Sequence, residues 1–124
     1  MNHYETIYIV NPNLDDDSLK EAMNKFSDLI NKLKGYIVKV NEWGKRKLAY
    51  EVKRFDKGYY VVLDFCALPK MVTELERNLK LDDRILKYIT VKIDENVDPK
   101  DLISKEKEIE DTMEESHNEH VEEK

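Results

Sequence analysis

The chain has 124 residues, which fits one domain with room for a tail, and three glycines and three prolines exclude a loop-rich or collagen-like polymer. A single cysteine excludes an internal disulfide framework, and no apolar run approaches the ~20 residues that span a bilayer. The net charge of −6 is unevenly placed: residues 1–95 hold 17 basic and 16 acidic side chains, whereas residues 96–124 hold 4 and 11.

The first element is a strand from Tyr4 to Val10, rich in β-branched and aromatic residues and stopped by Asn11, Pro12 and Asn13. Asp15 to Lys34 reads as a helix. Leu19, Ala22, Met23, Phe26, Leu29, Ile30 and Leu33 repeat at the three-and-four spacing of one buried face. Asp15, Asp16 and Asp17 supply an N-cap and suit the positive end of the helix dipole, and Gly35 is expected at the left-handed position past the C-terminus.

Tyr36 to Asn41 and Arg46 to Phe55 read as one long interrupted strand, with Gly44 marking a bulge. A turn is expected at Asp56, Lys57 and Gly58, before an apolar strand from Tyr59 to Ala67. Pro69 opens a second helix running to about Leu79, with Val72, Leu75 and Leu79 inward. Asp82 and Asp83 mark a loop, and Leu86 to Ile93 is the last strand.

The order β-α-β-β-α-β is that of an α+β, ferredoxin-like split β-α-β fold: a four-stranded antiparallel sheet with both helices on one face. The first and last strands should pair. The first strand carries large apolar groups on both sides, Tyr8 and Val10 on one and Ile7 and Ile9 on the other. The face away from the helices is therefore covered either by the chain's own segments or by a partner. Residues 1–95 form this domain; residues 96–124 are expected to be an acidic, flexible tail with a weak helical stripe at Leu102, Ile109 and Met113.

No residue set for catalysis or metal binding emerges. His117 and His120 stand at H-x-x-H spacing in the acidic tail without a fixed third ligand, and His3 has no evident orienting carboxylate. Cys66 sits in an apolar strand, as a structural thiol does. Asp82 and Asp83 suit a cap or turn better than an acid–base pair. Neither G-x-G-x-x-G nor a Walker loop is present. The loop after the first strand, Asn11 to Leu14, lacks the Gly and Arg that acylphosphatase uses on this fold. No cofactor, metal or small-molecule substrate is expected. The N-terminus lacks a basic n-region and a long apolar h-region, so no secretory signal is read there and the cytosol is expected.

The basic residues are the stronger lead. Lys45, Arg46, Lys47, Lys53 and Arg54 lie on one short hairpin arm against Glu51 alone. Arg77, Lys80, Arg84, Lys87 and Lys92 follow late in the chain, and strand pairing would bring the last strand's charges toward His3 and Tyr4. Tyr4, Trp43, Tyr50, Tyr59, Tyr60 and Tyr88 either pack or stack on bases. Clustered cations on a catalytically bare fold point to a polyanion, with RNA first. The rival readings are an interaction module that pairs through its sheet as a homodimer, and an enzyme on the same fold.

YETIYIVNPNL at the start, Gly35 to Ile37, WGKRKLAYEV from Trp43 to Val52, Lys57 to Tyr60, and ELERNLKLDDRILKYITVK from Glu74 to Lys92 together resemble bacterial small-subunit ribosomal protein six, in order over residues 1–93. The resemblance implies a non-catalytic constituent of the small ribosomal subunit in the cytoplasm. It implies binding to the central domain of small-subunit ribosomal RNA together with small-subunit ribosomal protein eighteen. It points to Arg46, Lys47, Lys87 and Lys92 as RNA or partner contacts, with Tyr4 and Tyr50 at matching aromatic positions. The sequence departs from the family pattern at Glu51, where Pro is common, and at Lys87 and Lys92, where Arg is more frequent. Lysine keeps the charge there but lacks the planar fork of a bidentate phosphate contact.

Overall fold

A computed structural model describes residues 1–104. The elements are β1 (Asn2–Val10), α1 (Asp16–Lys32), β2 (Tyr36–Val52), β3 (Phe55–Ala67), α2 (Pro69–Leu81) and β4 (Ile85–Asp94). Residues 99–104 are helical as well. The sheet order is β2-β3-β1-β4 with every neighbouring pair antiparallel, the arrangement expected of a split β-α-β domain. Of the tail expectations, those on Ile109, Met113, His117 and His120 lie outside the described residues.

Alternation along each strand divides the sheet into two faces. Tyr4, Thr6, Tyr8 and Val10 of β1 face the helices and are buried with Val61, Leu63, Phe65 and Ala67 of β3. From α1, Ala22, Phe26 and Ile30 close this core; from α2 come Met71, Val72, Leu75 and Leu79. Thr6 and Thr90, both pointing this way from paired strands, satisfy each other through their Oγ1 atoms at 2.7 Å. The Tyr8 ring meets Phe26 edge-on with centroids 5.3 Å apart. Burial, and secondarily the Glu42 charge, pushes its hydroxyl pKa up.

Helix α1 begins as expected: the Asp15 carboxylate accepts from the Ser18 backbone N–H at 2.7 Å. Its C-terminus differs. The left-handed residue is Lys34, with φ of 69°, and Gly35 is the next residue on. Lys34 N donates to Asn31 O and Gly35 N to Ile30 O, so the helix closes in a Schellman motif one residue earlier than the glycine suggests.

The β2–β3 hairpin departs most from expectation. Val52 pairs with Phe55, and the two residues between them, Lys53 and Arg54, have φ of 48° and 71°. This is the two-residue mirror-image turn that matches strand twist, and it usually takes Asn or Gly. Gly58, expected in the turn, lies instead within β3. A Cβ there would come 2.2 Å from Ile9 Cγ2, so this glycine allows close packing and makes no turn.

β2 also carries three irregularities, one of them between Ile37 and Lys39 and two toward the hairpin end. At the first of these two, Trp43 is the extra residue between Glu42, opposite Val61, and Gly44, opposite Tyr60; Gly44 has φ of 80°, as in a glycine bulge. At the second, residues 48–51 lie between Lys47 and Val52, whose partners on β3 are separated by Asp56 alone. Four residues therefore oppose one, and this part of β2 leaves the ladder. Leu48 joins Ile9 and Leu86 in a second small core on the face away from the helices, flanked by Val52, Phe55 and Tyr60. One half of that face is thus covered by the chain itself. On the other half Ile89, Val91 and Ile93 of β4 remain 55%, 53% and 50% exposed.

The turn from α2 to β4 is held by Asp82. Its carboxylate accepts from Arg84 Nε at 3.0 Å, Arg84 Nη2 at 2.8 Å, the Arg84 backbone N–H at 3.0 Å and Lys25 Nζ at 3.0 Å. The cap-or-turn reading of this aspartate fits that geometry. The Arg84 side chain foremost, with Lys25 adding, holds the Asp82 pKa far below the usual carboxylate range despite burial.

Two stability predictions follow from these contacts. A depressed folded-state pKa means stability that is full above the unfolded carboxylate pKa and falls as pH drops below about 4. Asp82→Asn is expected to lose about 2 kcal/mol at neutral pH and to flatten that acid limb, read by urea unfolding between pH 7 and 2. Gly58→Ala is expected to cost about 1–3 kcal/mol through overpacking against Ile9, and an unchanged urea midpoint would contradict the close contact.

Candidate nucleic-acid interface

Lys45, Arg46, Lys47, Lys53, Arg54 and Lys57 occupy the outer part of the β2–β3 hairpin, all exposed. Among the described residues none of the six makes an ion pair. Lys47 and Lys57 are directly opposed in the ladder, a like-charge pairing that costs stability unless an anion lies between or beside them.

Arg46 lies against Trp43, its guanidinium carbon 5.3 Å from the ring centroid and its Nε donating to the Trp43 carbonyl at 3.4 Å. Trp43 in turn stacks on Tyr60, centroids 6.4 Å apart and planes 14° apart. The Gly44 bulge sets up this row: the extra residue re-aims the Trp43 side chain toward Tyr60 and offers it to Arg46. The result is a cation held in one orientation on an exposed strand.

Lys87 of β4 and Tyr50 of β2 also meet, although 37 residues apart. Lys87 Nζ donates to the Tyr50 hydroxyl at 2.6 Å and lies 4.9 Å from the ring centroid. The excursion at residues 48–51 makes this contact, since a continuous ladder would keep Tyr50 on the outer strand. Arg46, Tyr50 and Lys87 thus share the face away from the helices, beside the exposed β4 strip of Ile89, Val91 and Ile93.

The other singled-out residues are elsewhere. Lys47 is exposed on the opposite side of β2 from Arg46 by alternation. Lys92 is opposite Tyr4 in the β1–β4 register, away from Lys87, and pairs with Glu95. That hydrogen bond raises the Lys92 pKa. Tyr4 is a core residue, 7% exposed and stacked on Phe65 with centroids 5.8 Å apart. Its burial takes it off any contact surface. His3 does not extend a basic patch either, because its imidazole pairs with Asp64. Arg84 is tied to Asp82 and Glu21, and Arg77 to Glu74.

Of these late cations, Lys80 and Lys87 are the ones without a carboxylate partner among the described residues. The exposed β4 strip was not singled out from sequence, although its signal is there: Ile89, Val91 and Ile93 alternate with Tyr88, Thr90 and Lys92. Among the described residues no three His, Cys, Asp or Glu side chains gather as a metal site would require. No described helix is long and apolar enough to cross a membrane. The Cys66 thiol is buried, and burial raises its pKa, away from nucleophile behaviour.

A family model described as Ribosomal protein S6 matches residues 3–92. The small ribosomal subunit protein bS6 of Desulfatibacillum aliphaticivorans is 48% identical over 98 residues, covering 79% of this chain and 53% of that one. The chain thus spans about half the length of that relative. The bS6 protein of Clostridium novyi is 41% identical over 91 residues, covering 73% of this chain and 96% of its own. Among solved structures, the crystal structure of 30S ribosomal protein S6 from Thermotoga maritima superposes with a TM-score of 0.71 at 29% identity, covering 88% of this chain and 97% of that one.

Trp43 is the sole tryptophan, so its emission reports on the Arg46 contact directly. Arg46→Ala is expected to change Trp43 emission while moving stability by no more than about 0.5 kcal/mol. An unaltered spectrum in the folded variant would remove the cation from the ring.

Proposed function

The chain belongs to the ribosomal protein S6 family, structural proteins of the bacterial small ribosomal subunit and not enzymes, and on that premise we propose how it engages its neighbours there. It binds the central domain of small-subunit ribosomal RNA as a pair with small-subunit ribosomal protein eighteen. RNA is met by the cationic side of the β2–β3 hairpin, and the protein partner by the exposed β4 strip. Residues 1–95 carry both contacts and the acidic residues 96–124 repel RNA.

One observation carries this reading: six hairpin cations that make no ion pair among the described residues stand on a domain with a half-covered apolar sheet face. Lysine and arginine neutralise phosphates and release counterions, which gives affinity without reading bases. An A-form helix offers side chains little sequence information in its deep groove, so recognition rests on shape and backbone. Arg46 is the first contact residue because its side chain is already oriented by Trp43, which lowers the ordering cost on binding. Lys47, Lys87 and Tyr50 complete the RNA set. Lys92, paired with Glu95 on the other face of β4, stands apart from both the hairpin and the strip and is the weakest of the contact candidates.

The test is binding of the full chain to a central-domain RNA fragment, with and without protein eighteen, across a salt series. Tight, salt-sensitive binding is expected with the partner present. Arg46→Ala is expected to weaken the ternary complex about fivefold, near 1 kcal/mol, and to make the salt slope shallower by about one. A folded protein that binds RNA under neither condition, and instead forms a concentration-dependent homodimer, would place the sheet-pairing interaction module first.

A further inference from the structure

The hairpin tip, the end of α2 and the start of β4 enclose a cleft of about 260 Å³. Three lysines are among the residues that line it: Lys53 from the tip, Lys80 from the last turn of α2, and Lys87 from β4. Leu79, Leu86 and Tyr88 give it apolar walls, and among the described residues no carboxylate lines it. Asp82, in the turn between α2 and β4, is taken up by Arg84 and Lys25. Three lysines bordering one small cleft give it a positive field that an anion would relieve.

Each lysine is placed with donors to spare. Lys53 Nζ gives one hydrogen bond to the Ile85 carbonyl at 3.1 Å, and Lys87 Nζ gives one to the Tyr50 hydroxyl, leaving two N–H donors on each. Lys80 has no described hydrogen bond or ion pair. A second, independent observation comes from the backbone. Lys53 and Arg54 hold the two left-handed positions of the turn, where Asn and Gly would sit without strain. Strained backbone of this kind persists where the side chains it presents have work to do.

We propose that this cleft seats one phosphodiester of structured RNA, with the phosphate shared by Lys53, Lys80 and Lys87 and the neighbouring sugar against the Leu79–Leu86–Tyr88 wall. The proposal rests on the ribosomal reading above and adds a second anchor, at Lys53 and Lys80, that shares Lys87 with the Arg46 side of the hairpin. It orients the domain on RNA by two points, the Trp43–Arg46 row and the far corner at α2 and β4. The small volume admits a single backbone unit and no stacked base pair.

The test compares the wild-type chain with Lys53→Asn/Lys80→Gln in RNA binding with protein eighteen across a salt series. Asparagine accepts the left-handed backbone more readily than lysine, and Lys80 is exposed, so the variant is expected to keep its urea midpoint. The expected result is about a tenfold loss of affinity at low salt and a salt slope shallower by about two. A wild-type slope in the folded variant overturns the cleft and leaves the ribosomal reading standing; absence of RNA binding by the wild-type chain overturns both. If the double variant unfolds early, Lys80→Gln alone decides, with a slope shallower by about one expected and an unchanged slope overturning the proposal. Inorganic phosphate that displaces RNA far below the ionic strength needed with chloride would make this a free-anion site and overturn it as an RNA contact.

Discussion

Ile9 is where the two faces of the sheet are reconciled. Helices cover one side of β1 only, yet this strand is apolar on both, so the Ile9 side must find cover elsewhere. Gly58 leaves β3 bare where Ile9 Cγ2 comes close, and Leu48 and Leu86 complete a small cluster on top. Burial of about three aliphatic side chains is worth several kcal/mol, enough to hold the hairpin end in place against the loss of ladder hydrogen bonds in β2. From that docking follow the excursion at residues 48–51, the Tyr50–Lys87 contact and the approach of Lys53 to β4. The cationic end of the molecule is arranged by an apolar contact.

The charged residues divide by task. Asp82 draws Arg84 and Lys25 into one turn, and His3 is held by Asp64 at the far end of the open face. These groups are committed to the fold, where breaking them would leave buried or half-buried charges unsatisfied. The hairpin cations make no such pairs among the described residues, and Lys47 faces Lys57 across the ladder. A domain near electrical neutrality can therefore present a strongly positive edge, because its acidic groups are used at the opposite corner and in the turns. Local field rather than net charge sets the attraction for phosphate.

The same division separates two kinds of surface on one sheet face. The hairpin end is charged and self-covered, whereas Ile89, Val91 and Ile93 form an uncovered apolar strip on the edge strand. Edge strands of this kind invite association, so they are blunted or used. A protein partner on the strip and an RNA backbone on the hairpin can be accommodated together, since the two regions adjoin without overlapping.

Element order, helix faces and the pairing of first and last strands were legible in the sequence, because each depends on a local period of apolar residues. The N-cap at Asp15 and the Gly44 bulge were legible for the same reason: residue type and near neighbours decide them. The turn was misplaced onto Asp56–Gly58 because glycine normally marks a turn. Here long-range packing against Ile9 required a residue without Cβ, and the left-handed positions fell to Lys53 and Arg54. For Tyr4 the sequence left packing and stacking both open, and the β3 register places it over Phe65. Whether a lysine is free or paired was equally hidden, since Arg84 and Lys87 are three residues apart and differ only in what other elements bring to them. By itself the sequence determined the fold and the family, through periodicity and motif; tertiary structure decided which cations face outward together, because that depends on contacts between residues distant in the chain.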